Sequence, residues 1–104
     1  MKIGKIILCA NNPERVCKFA ASMKKNDLAA IKLEVTRNND TDIKFIKKLR
    51  KLATEKKIIL IFDECTSGFR ETFGGIHKKF GVNPDLALFG KSIGNGYPIT
   101  ALVG

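Results

Sequence analysis

The chain is expected to fold as an α/β layer in which helices flank a mainly parallel sheet. Two observations carry that expectation. Strand-like apolar runs alternate along the chain with stretches whose apolar residues recur at helical spacing. One of those runs, IILIF at 58–62, is an unbroken apolar series rich in β-branched and aromatic residues, the composition of a strand buried on both faces of a parallel sheet.

Ile3–Cys9 opens as a strand. Its apolar stretch is too short to span a membrane, and NNPERV follows where a secretory signal would need small residues for cleavage. PERVCKFAASMKKN then reads as a helix: Pro13 suits a first helical turn, and Val16, Phe19, Ala20 and Met23 share a face. Leu28–Val35 (LAAIKLEV) is the second strand and TRNNDTD its loop. Asp42 is placed to cap a long basic helix running to about Lys56, with Ile43, Ile46, Leu49 and Ala53 at helical spacing. IILIF follows. DLALF and ITALV are two further short strands, separated by a glycine-rich turn around Lys91. There is no repeat, low-complexity tract or linker, so the 104 residues form at most one domain.

With 44% hydrophobic and 28% charged residues, the composition is that of a globular protein, which argues against disorder. The formal net charge of +9 raises the question of nucleic acid. Much of that excess lies in DIKFIKKLRKLATEKK, where the lysines fall between the apolar positions as on the solvated face of an amphipathic helix. No aromatic residues are interleaved with the basic ones, and no zinc or helix-turn-helix signature occurs, so neither nucleic acid nor membrane is expected as a partner. Cys9, Cys17 and Cys65 are odd in number and lack CxxC spacing, which indicates neither a disulfide framework nor a metal site and fits a cytoplasmic protein. His77, the single histidine, is expected on an exposed loop.

Chemistry is expected where IILIF ends. Asp63 and Glu64 follow it directly, and ligands of open α/β sheets gather at the carboxyl ends of the strands. One reading is a nucleotide hydrolase whose acidic pair holds magnesium. Its phosphate loop would be GxxxxGK[ST]. Gly90–Ser92 has that ending, but Asp85 stands where the first glycine belongs, and the loop follows the acidic strand instead of preceding it. The other reading joins Asp63 to Lys91, in LFGKSIGNG, around a cofactor with an aldehyde and a basic ring nitrogen. Pyridoxal phosphate is such a cofactor: a primary amine bonds its aldehyde, and a carboxylate keeps its ring nitrogen protonated. Glycines on both sides of Lys91 would let the backbone approach it closely.

Residues 60–104 resemble the class III pyridoxal-phosphate aminotransferases, most of all the glutamate-1-semialdehyde aminomutase branch and its sugar-aminotransferase relatives. The resemblance rests on an apolar strand ending in Asp-Glu, then SGFR, FGG, GVNPDL and GKSIGNGYP, in family order and with the family's spacing from Asp63 to Lys91. LAAIKLE matches more loosely, with Val35 where the family has a proline after Glu34. The resemblance implies that Lys91 is the Schiff-base lysine and proton shuttle, that Asp63 partners the pyridine nitrogen, and that Cys65 packs on one ring face where a Val or Ile is usual. Asn38 or Asn39 would lie near the loop that touches the ring hydroxyl. Gly68, Phe69 and Arg70 would shape the turn after the acid. It also implies a partial fold-type I large domain, with 1–104 as its central fragment. The phosphate cup and small domain would lie elsewhere, in full-length relatives that are homodimeric. The expected reaction is transamination between a small-molecule amino donor and a keto or aldehyde acceptor, or a 1,2-amino shift. The alternative is a catalytically inactive relic or a small basic α/β binding module.

Overall fold

The computed structural model describes residues 5–9, 13–24, 27–36 and 42–104. Along them run strand β1 (Lys5–Cys9), helix α1 (Pro13–Ser22), strand β2 (Leu28–Glu34), helix α2 (Ile43–Lys56), strand β3 (Ile59–Asp63), the short helix α3 (His77–Phe80), strand β4 (Leu86–Phe89), a 3-10 turn at Lys91–Gly94 and strand β5 (Ala101–Val103). The strands form one sheet in the order β1-β2-β3-β4-β5. The first four are parallel, and β5 turns back antiparallel on β4. The expected α/β fold with a mainly parallel sheet is therefore present. Among the described residues, no helix is long and apolar enough to cross a membrane.

Local chemistry explains where α2 begins and ends. Asp42 Oδ1 accepts from the backbone N–H of Lys44 at 2.9 Å and of Phe45 at 3.3 Å, two donors that the first helical turn leaves without a partner. At the other end Lys57 adopts the left-handed conformation (φ 57°), and its N–H closes on the carbonyls of Ala53 and Thr54. Ile46, Leu49 and Ala53 are buried as their spacing predicts, whereas Ile43, the first helical residue, is 43% exposed. On α1 the buried residues are Cys17 and Ala20. Phe19, expected on that face, is exposed, because one residue advances the helix by about 100° and carries it past the contact stripe.

The core lies on one side of the sheet. Ala20 from α1 and Ile46, Leu49 and Ala53 from α2 pack with Ile31, Leu33, Leu60 and Phe62 from β2 and β3, and with Ile76 and Val82 beyond. Each successive parallel strand is added on the same side of the last, and crossovers of one handedness then lay their helices on one face. That arrangement corrects the expectation that 58–62 is buried on both faces. Leu60 and Phe62 are fully buried, but Ile59 is 46% exposed and Ile61 is only half-buried. The opposite face, which we call the open face, carries Lys32 and Glu34 of β2, Ile61 and Asp63 of β3, and Leu86 and Leu88 of β4 in register.

Asp42→Ala should cost about 1 kcal/mol, read as a lower urea midpoint at unchanged slope, while Asp42→Asn should retain most of that stability.

Candidate active site

The parallel register of β3 and β4 assembles the site. Asp63 stands opposite Leu88, and the N–H of Glu64 donates to the Leu88 carbonyl at 2.9 Å. The chain leaving β3 and the chain leaving β4 therefore emerge side by side at their carboxyl ends. A Cβ placed on Gly90 would lie 3.3 Å from Cys65 Sγ, which shows how closely the two segments run. Lys91 Nζ reaches across to donate to Thr66 Oγ1 at 2.9 Å. Asp63, Cys65 and Lys91 are thus gathered at two adjoining strand ends. Asn38 and Asn39 lie outside the described residues.

Asp63 is the most heavily engaged of the three. Its Oδ2 forms an ion pair with Lys32 Nζ at 2.7 Å, and its Oδ1 accepts from the Cys65 N–H at 3.2 Å. Burial would raise its carboxyl. The Lys32 hydrogen bond, the donors of Cys65 and the Lys32 charge outweigh that effect and hold it below the usual carboxylate range. Lys32 is raised in turn, first by its hydrogen bond to Asp63. The Cys65 thiol moves upward, first through burial and then through its hydrogen bond to Asp63 and that residue's charge, with Lys32 and Lys91 opposing. Cys65 is therefore a protonated, half-buried thiol, suited to packing rather than to attack.

Lys91 carries its amine on a strained backbone. Its φ is +45°, in the left-handed region where a side chain is costly, and Gly90 before it is extended. Such conformations persist only where the surroundings impose them. Here the constraint is the turn from β4 into the 3-10 segment, together with the bond to Thr66.

Glu64, the other half of the acidic pair, does a different job. Successive residues of a strand point to opposite sides, so Glu64 turns away from Asp63 and is completely buried. Its Oε1 accepts from the Ile76 N–H and, at 3.3 Å, from Ser67 Oγ, while Oε2 pairs with Nδ1 of His77. His77 is correspondingly not an exposed loop residue: it opens α3, its side chain is only 12% exposed, and its ring packs against Phe62. The carboxylate thereby fastens the loop of residues 65–76 to the end of β3. Two glycines make the clamp possible. A Cβ on Gly75 would overlap Glu64 Oε2 and the His77 ring, and one on Gly68 would fall within 2.5 Å of Phe89 Cδ1. The neighbouring SGFR residues shape this turn as expected: Gly68 N–H donates to the Glu64 carbonyl, Phe69 N–H to that of Gly74, and Arg70 Nε to that of Thr66.

Lys32 and Thr66 were not anticipated as site residues. Lys32 does leave a trace in the sequence, since it is the one cation in the otherwise apolar and acidic run LAAIKLEV. Two concave regions lie apart from these groups. One, of about 490 Å³, is lined by residues including Arg50, Lys57, Asn83 and Asp85, and the other, of about 450 Å³, by residues including Phe69, Ala87, Phe89 and Val103. Neither includes Asp63, Cys65 or Lys91.

An α/β sheet presenting an amine and a carboxylate at adjacent strand ends fits a recognised class. Residues 8–104 match the family described as Aminotransferase class-III, and the chain belongs to that pyridoxal-phosphate-dependent family. Among individual relatives, it is 53% identical over 60 residues to the 3-aminobutyryl-CoA aminotransferase of Cloacimonas acidaminovorans, covering 58% of this chain and 14% of that protein. It is 40% identical over 102 residues to the glutamate-1-semialdehyde 2,1-aminomutase of Methanocaldococcus jannaschii, covering 94% of this chain and 24% of that one. Among solved structures, the FumI protein of a Sphingopyxis species, in its pyridoxal-phosphate form, superposes with a TM-score of 0.78 at 28% identity, covering 89% of this chain and 24% of that chain. The ornithine δ-aminotransferase of Plasmodium falciparum gives 0.82 at 22% identity over 97% of this chain and 30% of that one, a likeness of fold. The chain spans about a quarter or less of the length of the curated relatives it matches.

Two measurements check this geometry. Lys91→Gly should be more stable than Lys91→Ala by about 1 kcal/mol, because both lose the Thr66 bond and only alanine keeps a Cβ at positive φ. The pH dependence follows from Asp63 and Asp85. Burial would raise the Asp85 carboxyl, but the Leu60 N–H at 2.7 Å and Arg50 at 2.8 Å bring it below the usual range. A carboxyl that is depressed in the folded state contributes stability above its unfolded value, near 4, and loses it as pH falls through the folded value. The urea midpoint should therefore drop as pH falls below about 4, with a shallower drop for Asp63→Asn and for Asp85→Asn.

Proposed function

We propose that this chain carries the lysine–aspartate half of a pyridoxal-phosphate site, as the central segment of an aminotransferase large domain. The observation that carries the reading is the meeting of Lys91 and Asp63 at the adjoining carboxyl ends of β4 and β3, within motifs in family order. The donor set fits the cofactor. A primary amine, a carboxylate and a small half-buried thiol converge at one end of the sheet. Pyridoxal phosphate, when bound, supplies an aldehyde that accepts the amino group and a ring that draws electrons from the substrate α-carbon. Lys91 is the attachment point for that aldehyde and the base that carries a proton to and from the α-carbon. Asp63 holds the ring nitrogen by a charge-assisted hydrogen bond, and Cys65 packs beside it.

The reaction class supported best is amino transfer between a small-molecule amino donor and a keto or aldehyde acceptor. The aminomutase relatives keep an intramolecular amino shift as its variant. The groups that grip phosphate and substrate are ascribed to the parts of the relatives outside the matched quarter, and the full-length protein is proposed to pair as a homodimer.

The test is covalent trapping. The chain is mixed with pyridoxal phosphate, reduced with borohydride, digested and mapped by mass spectrometry. The expected result is a visible imine band before reduction and a label concentrated on the Lys91 peptide. Lys91→Ala should abolish that label, and Asp63→Ala should weaken binding about tenfold or more. A label spread over surface lysines and indifferent to both substitutions would favour the inactive relic or the basic binding module.

A further inference from the structure

Strand β2 brings a cation to the open face of the sheet. Lys32 stands opposite Ile61 in the β2–β3 register, one step short of the Glu34–Asp63 pair. From there its Nζ reaches Asp63 Oδ2 at 2.7 Å, with the two side chains 34% and 22% exposed. The Cys65 N–H holds the other oxygen, so each oxygen of this carboxylate already has a partner within the chain. Among the described residues, the charged and titratable groups that act on the pair are Glu34 on β2, Cys65 after β3 and Lys91 after β4. Glu34 adds its negative charge on the Lys32 side of the pair, whereas Lys91 is itself a cation bonded to Thr66 and Cys65 donates to Asp63.

If Asp63 faces the ring nitrogen, as the proposed function holds, two cations meet at one carboxylate. A protonated ring nitrogen bonded to Asp63 must share it with an ammonium ion already in contact, and like charges at that separation repel while each takes part of the carboxylate's attraction. We propose that Lys32 is a positioning residue for the cofactor ring, a resident counter-ion that orients the Asp63 carboxylate on the open face and divides its charge with the ring nitrogen, so that the ring is held less tightly than a lone aspartate would hold it. The inference rests on the reading of Asp63 given above. Lys32 touches the carboxylate and acts on the ring only through it.

Lys32→Met and Lys32→Arg provide the test, with Asp63→Asn as the control for the underlying reading. Methionine suits a half-exposed site beside Ile61, and an amide-proton NMR spectrum verifies the fold of each variant. The first readout uses no cofactor: the Asp63 carboxyl, followed by carbon-13 NMR, should titrate at higher pH in Lys32→Met than in the unaltered chain, with Lys32→Arg close to the unaltered chain. The second is the affinity for pyridoxamine 5′-phosphate, which contains the ring and no aldehyde. Lys32→Met should bind it more tightly, by a factor on the order of ten, and Asp63→Asn more weakly. An unmoved Asp63 titration overturns the proposal. So does equal affinity in Lys32→Met and the unaltered chain while Asp63→Asn still binds more weakly, in which case the role of Asp63 stands. Indifference of the affinity to Asp63→Asn overturns the role of Asp63 and the proposal with it.

Discussion

The register between β3 and β4 is the constraint from which the site follows. In a parallel pair every strand ends on the same side, and the pairing of Asp63 with Leu88 decides what emerges beside what. Three residues beyond Leu88 the chain reaches Lys91, whose amine bonds Thr66, three residues beyond Asp63. Because side chains alternate with period two, slipping β3 by one residue would turn Asp63 to the helix side and Glu64 to the open face. Leu60 and Phe62, both fully buried, oppose such a slip, since it would carry them out of the core. The apolar packing beneath the sheet thus locks the position of a carboxylate above it.

The same alternation explains why two adjacent acids have unrelated roles. Asp63 keeps company with cations and donors at the strand ends, while Glu64 drops into the interior and ties down the loop that begins with Cys65 and Thr66. That loop supplies the hydroxyl that receives Lys91. The buried acid therefore acts on the site indirectly, by fixing the segment that positions the amine. The overlap a Cβ at Gly75 would create shows how little slack this anchoring leaves.

Features with a local cause were legible in the sequence. Asp42 caps α2 because a carboxylate two and three residues before free N–H groups needs nothing from afar. Strand identities and the approach of Lys91 to the end of β3 followed from composition and motif order. What stayed hidden depends on contacts distant in sequence. His77 meets Glu64 across thirteen residues, and Lys32 finds Asp63 only through the β2–β3 register. The apolar run at 58–62 suggested burial on both faces, yet composition says nothing about which face the crossovers cover. All of the described helices that pack on the sheet lie on one side, leaving Ile59 and Ile61 partly bare.

The partners of the two ionic groups differ in a way that bears on the proposed chemistry. Asp63 is held by an ammonium ion, which keeps it charged, whereas Lys91 is held by a hydroxyl. A hydroxyl oxygen can accept from a neutral amine as well as from an ammonium ion, so the Thr66 bond survives a change in the proton count of Lys91. A thiolate at Cys65 would have offered Lys91 a charged competitor. Burial and the hydrogen bond to Asp63 keep that thiol protonated and remove the competitor. An aspartate kept ionised at neutral pH, beside a lysine whose hydroxyl partner can accept from either form of the amine, suits the proposed function, in which one group would hold a positive ring nitrogen and the other would move a proton.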